Sequence, residues 1–247
     1  MIPPLRHYRS ILRCLAIICM LLLLNGCSLW HSLFGEEDLT PAELMSEGIE
    51  EFNSGNFESA AEIFQKIKDR YPYSKYATTA ELKMADALYE KDQFDEAYDA
   101  YTEFEKMHPK NPNIPYVIFQ KGMCNFSRVG TIDRDQSFTR KSREDFERLI
   151  KRYRGSAYAE RARRKVRECY IKLAQHEVYV GDFYFKMGKY GPAMNRYLYL
   201  IEHYPDVGQY YSALEKIKVC KDRLAEQKEE EKSWWGRLTH SVKTIFD

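Results

Sequence analysis

The sequence lacks an excess of charge of either sign. It contains 38 lysines and arginines against 37 aspartates and glutamates, which gives a formal net charge of +1 at pH 7. The first 26 residues hold three arginines and no acid, so the remainder would carry 35 basic and 37 acidic side chains. Because nucleic-acid binding needs a basic surface for the phosphate backbone, this balance predicts no nucleic-acid partner.

The sequence also lacks the residue groups of catalytic and metal sites. The six histidines are scattered, and no pair of cysteines has the spacing of metal ligands. His176-Glu177 would begin a metalloprotease motif, but Val180 stands where the second histidine belongs. Gly188-Lys189 is followed by Tyr190 instead of the serine or threonine of a phosphate-binding loop. We therefore expect no catalytic residues, no metal ion and no enzymatic activity.

The N-terminal apolar run is too short to cross a membrane. Arg6, Arg9 and Arg13 precede it, and it extends over 11 residues from Cys14 to Leu24. This length suits the central region of a signal peptide. The run ends in the sequence LNGC at residues 24–27, which resembles the lipobox of bacterial lipoproteins. Residues 1–26 are therefore predicted to be a lipoprotein signal peptide.

Cys27 would then become the first residue of the mature chain and carry a covalent diacylglycerol and an N-acyl chain, with no other cofactor expected. Several acyl chains anchor a protein stably, because each buried methylene contributes ~0.8 kcal/mol. Ser28 after the cysteine resembles lipoproteins that are sorted to the outer membrane. This implies anchoring in its inner leaflet, facing the periplasm of a Gram-negative bacterium, with residues 27–40 as a lipidated tether. An ordinary cleaved signal with an incidental cysteine is the alternative.

Three cysteines, Cys124, Cys169 and Cys220, remain in the rest of the chain. An odd number cannot form a complete set of disulfides. Each has apolar neighbours at helical spacing, which favours a role as a small core residue. A single bridge between Cys124 and Cys169 is the alternative in an oxidising compartment.

One phrase of residues recurs along the chain. It consists of a turn residue, an aromatic, a small residue, a second aromatic and a closing proline. It occupies residues 55–72, 92–109 and 188–205, and a degraded copy at residues 142–154 has Arg154 in place of the proline. A second small residue precedes each copy, at Gly48, Ala85, Gly122 and Gly181. The period predicts helix pairs in which small residues let two antiparallel helices approach closely.

The helix pairs can be placed from their start and stop signals. Thr40-Pro41 followed by Glu43 is typical of a helix start, and Pro72 ends the first pair. Residues 128–135 insert eight extra positions into the third pair. Residues 157–187 predict one helix of about 45 Å. A further helix from Tyr210 has no second helix to pair with, so it is predicted to cap the C-terminal end of the solenoid. The predicted solenoid covers residues 41–227.

Residues 228–247 are predicted to form an acidic linker and a short amphipathic tail. Glu229, Glu230 and Glu231 precede a segment in which Trp234, Leu238, Val242 and Ile245 share one helical face. The tail could pack back onto the solenoid. It could also dock on a partner or on a membrane surface.

The repeat resembles the tetratricopeptide repeat, a helix–turn–helix unit of 34 residues. A closer resemblance is to the BamD family of lipoproteins of the β-barrel assembly machinery. It is carried by the lipobox, the repeat count, the insertion containing residues 133–135, Phe146, and the runs HPKNPNIPYV at 108–117 and RYRGSAYA at 152–159. The implied fold is all-α, a right-handed helical solenoid with about four to five helix pairs. The implied function is a non-enzymatic scaffold.

This family resemblance also implies partners. The C-terminal repeats would dock on the periplasmic domain of BamA, with Arg196 as a charged contact, and other assembly-machinery lipoproteins would bind the same complex. The N-terminal repeats would receive unfolded outer-membrane proteins. A different envelope repeat lipoprotein, linked to peptidoglycan or cell division, is the alternative function. An exposed helix face is the alternative role for Arg196.

The first helix of each tetratricopeptide pair lines the concave face, and transferring those positions predicts a groove for substrate peptides. Its lining is expected to be apolar and aromatic, without the lysine and asparagine that clamp a terminal carboxylate in some relatives of this fold. Core packing against neighbouring helices is the alternative for each residue. The groove residues are Phe52, Tyr89, Tyr116, Phe119 and Phe126.

Overall fold

The computed structural model describes residues 39–204 and 207–246, with side chains described up to Trp235. The predicted signal peptide, Cys27 and most of the tether lie outside the described residues. The part of the chain that is described contains nine α-helices and no strand, so the all-α prediction is confirmed. The helices are α1 (Pro41–Asn53), α2 (Phe57–Arg70), α3 (Ala77–Glu90), α4 (Phe94–Met107), α5 (Ile114–Ser127), α6 (Ser137–Arg152), α7 (Ala157–Lys186), α8 (Tyr190–His203) and α9 (Tyr210–Phe246).

The helices form a solenoid of successive pairs. Each helix packs on the helices before and after it in the chain, and α5 also contacts α7. This pattern of near-neighbour contacts is that of a repeat protein. The first helices of the four pairs are α1, α3, α5 and α7, and the second helices are α2, α4, α6 and α8. Helix α9 packs on α8 as the predicted cap.

The start of α1 is capped as its sequence predicts. The backbone N–H of Thr40 donates to the Glu43 carboxylate at 2.8 Å, and the N–H of Glu43 donates to the Thr40 hydroxyl at 3.3 Å. The Tyr71 hydroxyl donates to the carbonyl of Leu39 at 3.1 Å. The entry of the chain is therefore held against the end of α2.

Glycines in three first helices lie against aromatic rings of their partner helices. A Cβ atom added at Gly48, Gly122 or Gly181 would lie 2.6, 2.5 or 2.5 Å from the nearest ring carbon. This confirms that the small residues permit a close approach. The facing residue is the second aromatic of the phrase: Phe64 for Gly48, Phe146 for Gly122 and Tyr197 for Gly181.

Three of the hairpins use the same backbone turn. Gly55, Asp92 and Gly188 have φ angles of 82°, 61° and 71°, in the left-handed region. The following N–H then bonds back across the helix end: Asn56 donates to the carbonyl of Glu51 at 2.9 Å, and the later hairpins repeat this bond. This is the Schellman ending, in which a left-handed residue stops the helix. The turn residue of the repeated phrase therefore sets where the first helix ends in these three pairs.

The insertion in the third pair is an ordered loop. The amide of Gln136, which is buried, donates to the carbonyls of Thr131 and Arg134 at 3.1 and 2.9 Å. The His176 ring on α7 lies 2.6 Å from the carbonyl of Ile132 and donates to it. The two Gln136 bonds hold the loop together, and the His176 bond ties it to the fourth pair.

The C-terminal region differs from its prediction as a linker followed by a short separate helix. Helix α9 continues through the acidic residues without a break. Glutamate, glutamine and lysine are strong helix formers, and Lys232 pairs with Glu229 one turn before it at 2.8 Å. The prediction was wrong because a charged run does not by itself end a helix, and this run has high helix propensity.

The three cysteines of the described residues are free and buried. The Cys169 thiol donates to the Ser142 hydroxyl at 3.8 Å, and no bridge joins it to Cys124. Burial raises the pKa of the Cys124 thiol to about 12 and that of Cys169 to about 11. All three thiols pack as small core residues.

Candidate functional site

The first helices form one side of the solenoid, which we call the inner face. Phe52, Tyr89 and Phe126 lie half-buried near the C-terminal ends of α1, α3 and α5. Phe52 and Tyr89 each meet the first aromatic of the next helix edge-on, with ring centroids 5.3 and 5.4 Å apart. The Tyr89 and Ser127 hydroxyls lie 3.1 Å apart, which joins α3 to α5. The structure therefore places these three predicted groove residues at equivalent positions of successive pairs.

Cations from the next first helix cover two of these rings. The Lys83 ammonium lies 5.2 Å from the Phe52 ring centre, and the Lys165 ammonium lies 4.1 Å from that of Phe126. Such contacts stabilise a pair by about 0.5–2 kcal/mol, depending on exposure. The expectation of a lining without lysine was wrong. Periodicity showed which residues share a helix face, but it did not show which side chains of the neighbouring pair reach over them.

Phe119 is a core residue. It is 3% exposed and packs against Phe146 and Tyr158, with ring centroids 5.5 and 5.8 Å apart. The Arg161 guanidinium covers the remaining ring face at 4.5 Å. A bound peptide could not reach Phe119 without displacing these groups, so we leave it out of the proposed binding surface.

Tyr116 takes part in a polar network between pairs. Its hydroxyl donates to the Asp86 carboxylate at 2.6 Å, and the fully buried Tyr101 donates to the same oxygen at 2.8 Å. Burial, followed by the charge of Asp86, raises the pKa of both tyrosines, which therefore stay neutral and act as donors. Lys83 pairs with the second carboxylate oxygen at 3.1 Å. The network fixes Tyr116 in place on the inner face.

A cluster of ion pairs around Glu105 joins three consecutive helices. Glu105 of α4 accepts hydrogen bonds from Lys121 of α5 at 3.2 Å and from Arg148 of α6 at 2.6 Å. Burial alone would raise the pKa of Glu105, but the bonds from these cations lower it below the usual value. The cluster therefore links the second pair to both helices of the third.

Arg196 lies on α8, away from the aromatic residues of α1, α3 and α5. Its guanidinium donates to the Glu177 carboxylate at 3.1 Å, and its side chain remains 44% exposed. Glu177 itself is nearly buried. The side chain can therefore meet a partner while it neutralises Glu177.

A basic cleft between α7 and the end of α8 was not found from the sequence. Its volume is about 380 Å³, and Tyr170 and Tyr204 form part of its wall with their rings 5.9 Å apart. Three basic side chains line it, from Arg163, Arg167 and His203. The sequence shows the density of arginines in residues 157–167, but it does not show that two of them lie beside the end of α8.

A family model described as YfiO, outer membrane lipoprotein, matches residues 37–234. The chain belongs to this family. The match covers α1 to α8 and α9 as far as Trp234. The last 13 residues of this YfiO-family chain, 235–247, lie beyond the match.

Curated relatives agree with the family model. Outer membrane protein assembly factor BamD of Neisseria meningitidis is 27% identical over 198 residues, which cover 76% of this chain and 74% of that protein. The proteins of the same name from Vibrio cholerae and Rickettsia prowazekii are 27% and 29% identical, over 78% and 82% of this chain and 83% and 80% of their own lengths. The resemblance to the BamD family is confirmed.

Among solved structures, the chain is similar to the TPR2AB-domain:pHSP90-complex of yeast Sti1. The two are 16% identical, with a TM-score of 0.41, over 74% of this chain and 70% of the other.

Two other features are absent from the described part of this YfiO-family chain. None of its helices is both long and apolar enough to cross a membrane. Within the same residues, no group of three or more His, Cys, Asp or Glu side chains could hold a metal ion.

Proposed function

We propose that this chain is a non-enzymatic scaffold of outer-membrane protein assembly, anchored to the outer membrane through acyl chains on Cys27. The observation that carries the proposal is the family match over residues 37–234, which includes every helix pair, together with relatives named as outer membrane protein assembly factors. A solenoid of rigid pairs suits a scaffold, because it presents extended surfaces to other chains.

On this proposal, the inner face receives segments of unfolded outer-membrane proteins. Phe52, Tyr89 and Phe126 offer half-buried aromatic surface at regular intervals, and Lys83 and Lys165 lie over two of the rings. A peptide that ends in an aromatic residue and a free carboxylate fits such a site. Its ring would pack beside the phenylalanine, and its carboxylate would pair with the ammonium group.

Replacing Phe126 with alanine should weaken the binding of such a peptide at least fivefold without unfolding the chain. The ring is half-buried, so its removal costs contact area to the peptide and leaves the core intact. Calorimetry with a peptide ending in phenylalanine measures the affinity. Amidation of the peptide's C-terminus should weaken binding to the unmodified protein, because it removes the charge that Lys165 would meet.

The matched control is Tyr73→Ala, which removes an aromatic ring that is 99% exposed at the turn between α2 and α3. It should leave peptide affinity unchanged. Equal affinity of the Phe126→Ala protein and the unmodified protein would remove the inner face from the substrate site.

The same proposal assigns Arg196 to a contact with the periplasmic domain of BamA. Reversing its charge with Arg196→Glu should reduce the BamA recovered with the chain from solubilised membranes at least tenfold. The exposed Arg164 on α7 provides a control, since Arg164→Glu reverses a charge without touching Glu177. Quantitative mass spectrometry of the recovered complex gives the readout.

A charge-swapped double variant separates docking from the internal ion pair. Arg196→Glu combined with Glu177→Lys restores an ion pair of reversed polarity within the chain. If position 196 needs positive charge for BamA, the double variant stays deficient. Full recovery of BamA by the double variant would mean that Arg196 acts only through Glu177. Recovery of division or peptidoglycan proteins in place of BamA would instead support the alternative function.

A further inference from the structure

The second half of α9 leaves the solenoid as an exposed helix. From Lys221 to Trp235, every residue except the partly covered Leu224 is exposed. Ion pairs one turn apart, Arg223–Glu226 and Glu229–Lys232, support the helix at 3.0 and 2.8 Å. The sequence leaves open whether the tail packs back onto the solenoid. The exposure of Trp234 and Trp235, 50% and 55%, argues against that arrangement.

The backbone of α9 remains helical to Phe246, which fixes the register of the tail. With about 100° of rotation per residue, all six apolar positions after Ser233 fall within an arc of about 120°. They are Trp234, Trp235, Leu238, Val242, Ile245 and Phe246. Glu231 falls in the same arc one turn earlier, so the apolar sector begins at the tryptophans.

The opposite sector of the same segment is basic. Arg237, His240 and Lys243 occupy it, and residues 233–246 contain no aspartate or glutamate. Trp234 and Trp235 also touch each other at the start of the apolar sector, with ring centroids 4.8 Å apart. Tryptophan favours the boundary between water and lipid, because its ring is apolar and its N–H is polar.

We propose that residues 234–246 form an interfacial helix that lies on a lipid bilayer with its apolar sector among the acyl chains. A narrow apolar sector containing tryptophan and phenylalanine, opposite a sector with basic residues, is the pattern of helices that lie in the plane of a membrane surface. The basic sector complements the phosphates of anionic lipid headgroups. The proposal concerns a segment beyond the family match and does not depend on the proposed assembly function.

The test uses residues 28–247, which contain the nine helices of the described residues and lack the predicted signal peptide and acylation site. Co-sedimentation is measured with vesicles of phosphatidylcholine in which about one-third of the lipid is anionic phosphatidylglycerol, because the basic sector should be attracted to negative headgroups. Two variants add the same charge two residues apart. Val242→Asp places it within the apolar sector, and Thr244→Asp places it in the opposite sector.

The unmodified chain should bind these vesicles, and its tryptophan emission should shift to shorter wavelength. Val242→Asp should lower the partition coefficient at least tenfold, whereas Thr244→Asp should lower it about twofold or less. Circular dichroism and thermal unfolding without vesicles check that both variants keep the fold. Absence of vesicle binding, or equal effects of the two variants, would overturn the proposal. So would concentration-dependent dimerisation that Val242→Asp abolishes without any vesicle binding, because the apolar sector would then belong to a second copy.

Discussion

Replacing Gly122 with alanine should destabilise the protein by about 3 kcal/mol, at the upper end of the usual cost of overpacking. At an exposed helix position the same change stabilises, because alanine is the better helix former by about 1 kcal/mol. Here the new methyl carbon would lie 2.5 Å from the Phe146 ring, which is fully buried and cannot swing aside. Helices α5 and α6 would have to separate, and the hydrogen bond from Ser142 to the Gly122 carbonyl at 3.0 Å would stretch.

Urea unfolding of two further variants tests this reason. Gly191→Ala adds a methyl group near the start of α8, where nothing lies within 4 Å, and should be neutral or stabilising. The double variant Gly122→Ala, Phe146→Leu should lose less free energy of unfolding than the sum of the two single changes, because leucine leaves room for the new methyl group. Alanine already occupies the equivalent position at Ala85 in the second pair. If Gly122→Ala lowers the free energy of unfolding by less than about 0.5 kcal/mol, the third pair accommodates an alanine as readily as the second pair accommodates Ala85.

The sequence allowed the pairing of the helices to be predicted, because the determinants of the pairing are local. A residue with positive φ, a small residue and a proline act within their own hairpin, so their spacing alone located the turns at Gly55, Asp92 and Gly188. The inserted loop and the long helix α7 were predicted for the same reason and lie where expected.

Contacts between pairs were harder to predict. Phe119 and Phe126 lie on the same helix, seven residues apart, yet the first is buried under α6 and α7 and the second is half-buried. Helical period cannot separate them, since two turns return to nearly the same face. The difference depends on which residues α7 brings against α5, and that depends on the angle between successive pairs.

One contact within the pairs could have been predicted from the sequence. The second and fourth pairs have Tyr101 and Tyr197 where the first and third have phenylalanines, and each of these tyrosines donates to an aspartate fifteen residues earlier. In the pairs with phenylalanine, Ile49 and Met123 occupy the position of the aspartate. A buried hydroxyl needs an acceptor, so tyrosine and aspartate occur together.

This relation leads to the second large effect. Asp86→Ala should destabilise the protein by about 3 kcal/mol, because it removes the acceptor shared by Tyr101 and Tyr116, and an unpaired buried hydroxyl costs about 1–3 kcal/mol. The cost should come mainly from Tyr101, which is fully buried. The Tyr116 hydroxyl keeps a bond from Gln120 at 3.1 Å. Urea unfolding at neutral pH gives the measurement.

The fourth pair offers the matched comparison. Asp182 accepts from Tyr197 at 2.6 Å and from Lys216 at 2.5 Å, but its side chain is 38% exposed, whereas that of Asp86 is 9% exposed. Asp182→Ala should therefore cost only about 1 kcal/mol, since water can replace the lost acceptor. Adding Tyr101→Phe to Asp86→Ala should recover part of the loss. Tyr197 is as fully buried as Tyr101, so this comparison varies the exposure of the acceptor. If Asp86→Ala and Asp182→Ala cost the same, access of water to the acceptor does not set the cost. If Tyr101→Phe recovers nothing, the unpaired Tyr101 hydroxyl is not what makes Asp86 necessary.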